Sequence, residues 1–461
     1  MDISKKNLKK ELKQDKSDIK NIWNRIRKRD FSGNTGLAIK NSVYQTLTNI
    51  VAKGGSFIFT IILARLLMPE LFGLYSLALS TIIIFATFSE LGISNTLIRF
   101  ISKELGKKQR KLRAHMLYLG KIKAFLVLLC AIILIVSANY LANNFYQKPI
   151  FLALLAGGLY LIFIQITGFL QCLLQASNNF ISIFKREIVF QIFRIVLVPL
   201  AVIFAIKYTL PDEVNLMLVI FFLAIALFLA SIFLFFDAKK IYSKKLKEEK
   251  ISKLSKNQKS NLNKFFIATS ALVLSGVFFG NIDRVMLGKF VGAEFIGYYT
   301  VAFSLIGALS TLIGFSAIVL LPIFSRLKGK RLEIGFRKSR KITLWISMGA
   351  FLVTLILAYV VILVIYGNEY IPATNILRLL SLLILILPAI AIYQTYYISQ
   401  GKPKKVAKLL ITATILNIIL NYILITSLLP YGHLAATYGA AIATLLSQGF
   451  YLGGLIRGRR K

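Results

Sequence analysis

A chain of 461 residues that is 57% apolar, with a mean hydropathy of +0.72, is a polytopic membrane protein, because apolar runs of about 20 residues recur along it. The formal net charge of +39 would suggest nucleic acid binding in a soluble protein, but no soluble basic domain, RNA-recognition signature or zinc-finger spacing occurs. Cys130 and Cys172 lie in apolar runs without CxxC spacing, so neither a disulfide framework nor a metal site is predicted.

Residues 1–40 form a basic extension with twelve Lys or Arg residues against five acids. Apolar residues at roughly helical spacing, among them Leu12, Ile19 and Trp23, favour an amphipathic helix that lies on an anionic leaflet. A solvated, disordered tail is the alternative. A cleavable signal peptide is excluded, because the first apolar run begins only after these polar residues.

Twelve apolar spans follow, which predicts an all-α protein with twelve transmembrane helices. We divide it into a six-helix bundle at 41–236, a cytoplasmic linker at 237–263, a second six-helix bundle at 264–457 and a basic tail at 458–461. The predicted spans are 42–67, 74–98, 117–138, 149–176, 187–206, 215–236, 264–288, 297–324, 342–366, 373–398, 405–427 and 437–456.

The two bundles are copies of one another. Arg65 to Ser80 recurs as Lys289 to Ser304 at an offset of 224, and identical residues at matching positions are Glu70 and Glu294, Gly73 and Gly297, Tyr75 and Tyr299, Ala78 and Ala302, and Ser80 and Ser304. An even number of spans per copy gives both the same orientation, so an axis along the membrane normal should relate them. Parallel repeats of this kind occur in transporters with alternating access.

Lysine and arginine are distributed unequally between the two sides of the predicted topology. Of the 57 Lys and Arg residues, 49 fall on the side of the termini, four on the other side and four inside spans. The positive-inside rule therefore predicts a protein of the cell membrane with both termini in the cytoplasm. It also explains most of the net charge without a nucleic acid partner.

Charges inside the predicted spans are candidate functional residues, since each costs roughly 2.5–3.5 kcal/mol at a helix centre. They comprise four cations and two acids: Lys53, Arg194, Arg284, Arg378, Glu90 and Asp283. Lys53, Glu90, Arg284 and Arg194 have no charged counterpart at the duplicated position, which favours a functional role over a purely structural one. For the arginines, snorkelling to the headgroups is the alternative interpretation.

Asn49 and Lys53 belong to a polar stripe on the first span. We expect this stripe to face a cavity between the bundles, with Glu90 as the counter-charge of Lys53. A structural ion pair between these two residues is the alternative. The excess of cations predicts an anionic ligand, because arginine and lysine suit phosphate oxygens.

Three segments carry a resemblance to a known family: ARLLMPELFGLYSLA, SELGISNTLIRFIS and NIDRVMLGKFVGAEFIGYYTVAFS. With these, the chain resembles the polysaccharide or oligosaccharide flippase branch of the multidrug/oligosaccharidyl-lipid/polysaccharide exporter superfamily. The resemblance implies a MATE-like, V-shaped fold that moves a polyprenyl-linked sugar from the inner to the outer leaflet. The basic extension is not part of the usual core of that family.

The sequence therefore predicts a non-enzymatic flippase for a polyprenyl-(pyro)phosphate-linked oligosaccharide in cell-surface polysaccharide biosynthesis. Lys53, Arg194, Arg284, Arg378 and Asn49 are the candidate substrate ligands, and Glu90 and Asp283 are candidate counter-charges or ion-coupling groups. No cofactor is expected beyond coupling to H⁺, Na⁺ or the membrane potential, and glycan-assembly proteins are expected partners. A cation-coupled multidrug exporter and, less favoured because the loops are short, a membrane-embedded glycosyltransferase remain as alternatives.

Overall fold

The computed structural model describes residues 33–106, 111–247, 253–327 and 329–460, which form helices and no strand. Most of the predicted basic extension, residues 1–32, lies outside this range. The first helix, α1, spans Gly33–Glu90 and bends at Met68, where φ is 60° and ψ is 169°. Pro69 follows the bend, and proline disfavours helical geometry in the residue before it. The bend divides α1 into α1a, residues 33–67, and α1b, residues 69–90.

The remaining helices follow in chain order. They are α2 Ile93–Leu105, α3 Leu112–Asn139 with a π-helical extension Tyr140–Tyr146, α4 Phe151–Ala176, α5 Phe180–Lys207, α6 Asp212–Lys247, α7 Lys256–Phe290, α8 Ala293–Arg326, α9 Gly329–Tyr366, α10 Ala373–Leu380, α11 Leu383–Ser399, α12 Pro403–Leu428 and α13 His433–Arg460.

Eleven helical segments of the described chain are long and apolar enough to cross a membrane. The first of them, Lys40–Glu90, has 51 residues. A straight helix of that length would measure about 77 Å, more than twice the hydrocarbon core of a bilayer. Because the bend at Met68 folds it into two spans, the eleven segments provide the twelve transmembrane passages that the sequence predicts.

One predicted boundary is wrong. The second span was expected to reach residue 98, but α1b ends at Glu90, and Leu91 and Gly92 follow with positive φ values of 35° and 79°. A separate amphipathic helix, α2, begins at Ile93. The linker expected at 237–263 is also largely helical at its ends, because α6 runs to Lys247 and α7 begins at Lys256.

The duplicated stretches meet in a close helix crossing between α1b and α8. A Cβ added to Gly73 would overlap the carbonyl oxygen of Ala293, and one added to Gly297 would overlap the carbonyl oxygen of Pro69. Only glycine permits this approach of two backbones. The glycine that recurs in both copies is therefore required at the point where the two halves touch.

This crossing lies on the membrane side opposite to residues 33 and 460, which we call the opposite side; the other is the terminal side. Two further contacts join the halves there. The Arg65 guanidinium donates to the carbonyl oxygens of Val364 and, at 2.8 Å, Ile365 at the end of α9, and Tyr370 donates to the Ala64 carbonyl at 2.9 Å. On the terminal side, the Ser270 hydroxyl of α7 donates to the Leu91 carbonyl at 2.6 Å.

Candidate functional site

One face of α7 looks into open space between the two halves. Gly276, Gly280 and Arg284 recur at intervals of four residues and share this face. A Cβ added to either glycine would have no heavy atom within 4 Å. The face thus combines a smooth surface with a single cationic side chain.

Arg284 reaches from the second half to the first. Its guanidinium donates to the Ser80 hydroxyl of α1b at 3.1 Å and to the Gly280 carbonyl of its own helix at 3.3 Å. The same group lies 5.8 Å from the centre of the Phe303 ring on α8. Its Nε is buried without a hydrogen-bond partner among the described residues, so donor capacity is left for a ligand.

Arg194 occupies a comparable position in the first half, on α5. Its guanidinium donates to Gln191 Oε1 at 2.7 Å and stacks over the Phe59 ring of α1a at 4.5 Å. Gln191 in turn donates to Glu187 at 2.6 Å, and Glu187 is paired with Arg186 at 2.8 Å. As in Arg284, Nε of Arg194 is buried without a described partner.

Tyr75 of α1b is a buried side chain on which both arginines act electrostatically, Arg194 from the first half and Arg284 from the second. Tyr75 is one of the duplicated residues, and its copy Tyr299 hydrogen-bonds to Asp283 instead. A cationic group from each half thus acts on the same buried phenol.

Lys53 and Asn49 lie on α1a, next to the residues of α5 that surround Arg194. Lys53 is exposed, and its neighbour Ala52 accepts a hydrogen bond from Gln191 at 3.4 Å, which connects this part of α1a to the helix of Arg194. The side-chain oxygen of Asn49 accepts from Gln45 at 3.3 Å. The structure places Lys53 near the first-half arginine but shows no direct contact between their side chains among the described residues.

The expected pairing of Glu90 with Lys53 is wrong. Glu90 forms an ion pair with Lys123 of α3 at 2.5 Å and accepts the backbone N–H of Ser94 at 2.8 Å. Lys123 is only 4% exposed. Lys123 lies close to the start of its predicted span, 117–138, and is therefore one of the 49 cations assigned to the side of the termini. Glu90 is therefore occupied by a structural pair within the first half.

Asp283 is the centre of a buried polar cluster in the second half. Its carboxylate accepts hydrogen bonds from Tyr299 at 2.5 Å, Asn421 at 2.7 Å and Thr444 at 2.7 Å. The side-chain oxygens of Asn421 and of the neighbouring Asn417 are buried without a described partner. Carboxylate, amide and hydroxyl oxygens in such a group fit a hard monovalent cation or a proton.

Arg378 is not brought to this site. It is exposed on the short helix α10, at the opposite side, and donates to Asn375 on the same helix at 3.1 Å.

The sequence patterns did not reveal Arg186, Glu187 and Gln191 as members of the site, because these residues lie near the predicted start of a span. Tyr75 carried a signal, since it recurs in both copies, but the electrostatic effect of Arg194 and Arg284 on it depends on helix packing.

Similarity to known proteins adds a second line of evidence to this geometry. A family model described as polysaccharide biosynthesis protein matches residues 38–328, and comparison with curated proteins gave no match. The structure is similar to the lipid II flippase MurJ in an inward closed conformation, with a TM-score of 0.69 and 15% identity over 90% of this chain and 87% of that chain. It is also similar to an inward-facing MATE family transporter of the MOP superfamily, with a TM-score of 0.64 and 15% identity over 90% of this chain and 94% of that chain.

These structural similarities confirm the MATE-like fold of two six-helix halves in a multi-pass membrane protein. At 15% identity they concern the fold alone. The family model, in contrast, is matched by more than half of the sequence. The protein belongs to the polysaccharide biosynthesis protein family.

Proposed function

We propose that this protein is a flippase that moves a polyprenyl-(pyro)phosphate-linked oligosaccharide from the inner to the outer leaflet by alternating access. The observation that carries the proposal is that Arg194 and Arg284, one from each half, are held by neutral oxygens and each keep a buried Nε without a partner among the described residues. Two guanidinium groups with unused N–H donors suit a phosphate or pyrophosphate group. The family membership supports a role in the biosynthesis of a cell-surface polysaccharide.

The substrate would be divided between the cavity and the lipid. In this mechanism the arginines hold the phosphate group, the sugar occupies the open space in front of Gly276 and Gly280, and the prenyl chain stays in the bilayer. Gly54 on α1a and Gly307 on α8 support a lateral opening, because added Cβ atoms at these positions would have nothing within 4 Å. Lys53, which is exposed next to Gly54, would attract the anionic headgroup towards this opening.

We further propose that the terminal side faces the cytoplasm, as the bias of lysine and arginine predicts. The glycine crossing of α1b and α8 then closes the outer side, and the contact of Ser270 with Leu91 joins the two halves on the inner side. Anionic lipid at the basic N-terminal extension and glycan-assembly proteins are the proposed partners. No covalent catalysis is assigned to the protein, because binding and release in two leaflets require only a change of conformation.

Transport would be coupled to an ion at Asp283. The oxygens of Asp283, Asn417, Asn421 and Thr444 fit Na⁺ or a proton, and the unpartnered amide oxygens supply free ligand positions. The same cluster favours the second candidate function, a cation-coupled multidrug exporter. The arginine pair distinguishes the two, since a cavity for hydrophobic cations requires acids and aromatic rings rather than guanidinium groups.

The test is translocation of a labelled polyprenyl-pyrophosphate oligosaccharide in proteoliposomes. Arg194→Ala and Arg284→Ala should lower the initial rate by about ten- to a hundredfold, the effect of removing a hydrogen bond to a charged group. Arg378→Ala is the matched control and should retain the parental rate, because this arginine is exposed on α10.

Three outcomes would contradict parts of the proposal. Parental rates in both cavity variants would remove the arginine site but leave the flippase. Export of cationic dyes without movement of the lipid-linked sugar would establish the drug exporter instead. Sugar transfer by the purified protein alone would make it an enzyme.

A further inference from the structure

A basic cavity lies on the terminal side between α2 and the start of α7, away from the arginine site. Its volume is about 480 Å³, and it is lined by Arg99, Phe100, Lys103, Asn261, Lys264 and Phe265. A smaller cavity of about 130 Å³ adjoins it through Phe100, Lys103 and Asn261. We call the two together the α2–α7 pocket.

The charge of the α2–α7 pocket is strongly positive. Arg99, Lys103 and Lys264 are exposed at its walls, and the described structure shows no carboxylate paired with any of the three. The acid that lines the smaller cavity, Glu104, is buried and accepts the backbone N–H of Lys111 at 2.9 Å. Three exposed cations thus line this pocket, and the carboxylate of Glu104 in the smaller cavity is already engaged by a backbone N–H.

Aromatic rings position one of these cations. The Arg99 guanidinium lies over the Phe265 ring, 4.3 Å from its centre, and Phe265 meets Phe100 edge to face with ring centres 6.1 Å apart. His115 stacks on the other side of this arrangement, with its ring centre 6.1 Å from that of Phe100. A guanidinium that rests on a ring face keeps its N–H edge available for a phosphate oxygen.

The pocket lies where lipid headgroups are found. α2 follows directly on the end of the second transmembrane passage and buries Ile93, Leu97 and Ile101 against the protein, while Arg99 and Lys103 remain on its exposed face. Cations at the end of a membrane span attract anionic lipids. We propose that the α2–α7 pocket binds the phosphate group of an anionic membrane lipid, with Arg99, Lys103 and Lys264 as its ligands.

Such a lipid would act on the conformation of the transporter, because the walls of the pocket come from different halves. α2 belongs to the first half and α7 to the second, and here they are joined by contacts such as that of the Phe100 ring with the Phe265 ring, whose centres are 6.1 Å apart. A ligand that contacts both walls binds best when the walls are together. Anionic lipid therefore stabilises the state in which the two halves are closed along α2 and α7.

The experiment compares lipid binding in nanodiscs of phosphatidylcholine with and without phosphatidylglycerol, with the bound lipid counted by native mass spectrometry. Lys103→Gln and Lys264→Gln should each weaken the retention of phosphatidylglycerol about fivefold, the expected effect of one cation near a membrane surface. Lys330→Gln and Lys402→Gln, which remove exposed lysines elsewhere on the terminal side, should not. Spin labels at the exposed residues Ser102 and Asn257 report the distance between α2 and α7, which should shorten with phosphatidylglycerol in the parent.

A second arm adds inorganic phosphate to nanodiscs of pure phosphatidylcholine. If phosphate shortens the label distance as phosphatidylglycerol does, and the two lysine variants abolish both effects, the phosphate chemistry of the site is supported. Binding of inorganic phosphate without binding of phosphatidylglycerol would overturn the assignment to a lipid. Equal lipid retention by the parent, the two variants and the controls would overturn the site itself, whatever the transport assay shows.

Discussion

At the scale of single residues, a charge within the membrane has a different role according to its partner. Glu90 and Lys123 satisfy each other at 2.5 Å within the first half, whereas Arg194 and Arg284 are held by neutral oxygens and aromatic rings. A closed ion pair has little attraction left for a ligand. The guanidinium groups keep their full charge, and this is why we assign the substrate to them and the stability of the bundle to the pair.

This assignment predicts that the loss of one member of the pair lowers stability. Lys123→Met leaves the Glu90 carboxylate without its cation and should cost about 3 kcal/mol, because an uncompensated charge stays in a poorly hydrated place. Thermal unfolding of the purified protein in detergent measures the effect. Lys121→Met, which changes an exposed lysine of the same helix, is the control.

The double variant decides whether the pair or the lysine alone matters. Glu90→Gln combined with Lys123→Met removes both charges and keeps an acceptor for the Ser94 N–H, so most of the lost stability should return. A double variant as unstable as the single one would show that Lys123 contributes through packing rather than through its charge.

At the scale of helices, the contact between α1b and α8 depends on two glycines. The carbonyl oxygens of Ala293 and Pro69 occupy the positions that Cβ atoms at Gly73 and Gly297 would need. Both clashes involve backbone, which cannot rotate away as a side chain can. The crossing therefore has no room for even one methyl group.

We expect Gly73→Ala and Gly297→Ala to separate α1b from α8 on the opposite side. Disulfide formation between cysteines introduced at Glu70 and Ala293, in a background without Cys130 and Cys172, should fall at least severalfold in either variant. Gly307→Ala is the control, because it adds the same methyl group to α8 where nothing lies within 4 Å. Unchanged cross-linking in the two crossing variants would show that the helices do not rely on this contact.

The sequence could predict the features that depend on hydropathy and on repetition. The twelve passages, the duplication and the candidates Arg194, Arg284 and Asp283 all follow from local pattern. The partner of Glu90 could not be predicted, because the choice between Lys53 and Lys123 is decided by the packing of α3 on α1b. Nor could the break after Glu90, since a continuous helix to residue 98 has the same apolar content as a helix that stops at Leu91 and Gly92.

At the scale of the whole molecule, the two halves carry different polar clusters although they share one architecture. Asp283 and its oxygen cluster lie within the second half, while Arg194 and its aromatic partners lie within the first. Arg284 is next to Asp283 in the chain and bonds to Ser80 of the first half. An ion or a proton that binds to Asp283 would thus be one residue away from the contact that Arg284 makes with the first half.

We therefore predict that Asp283→Asn separates transport from its driving force. In proteoliposomes the variant should lose the acceleration that a Na⁺ or H⁺ gradient gives to the parent, while transport without a gradient continues. Asp212→Asn, a change of an exposed acid on the opposite side, should leave the acceleration intact. Retention of the gradient effect in Asp283→Asn would place the coupling ion elsewhere.

The glycine crossing has a consequence for the history of the chain. Gly73 meets the segment that contains Ala293, and Gly297 meets Pro69, which is the counterpart of Ala293 at the offset of 224. Each copy thus offers the other the same surface, as in the isologous interface of a twofold-symmetric homodimer. In an unfused ancestor, an arginine at the position of Arg284 would have appeared twice around the axis. In a single chain the two positions are independent of each other, and Thr60 is neutral where Arg284 is charged.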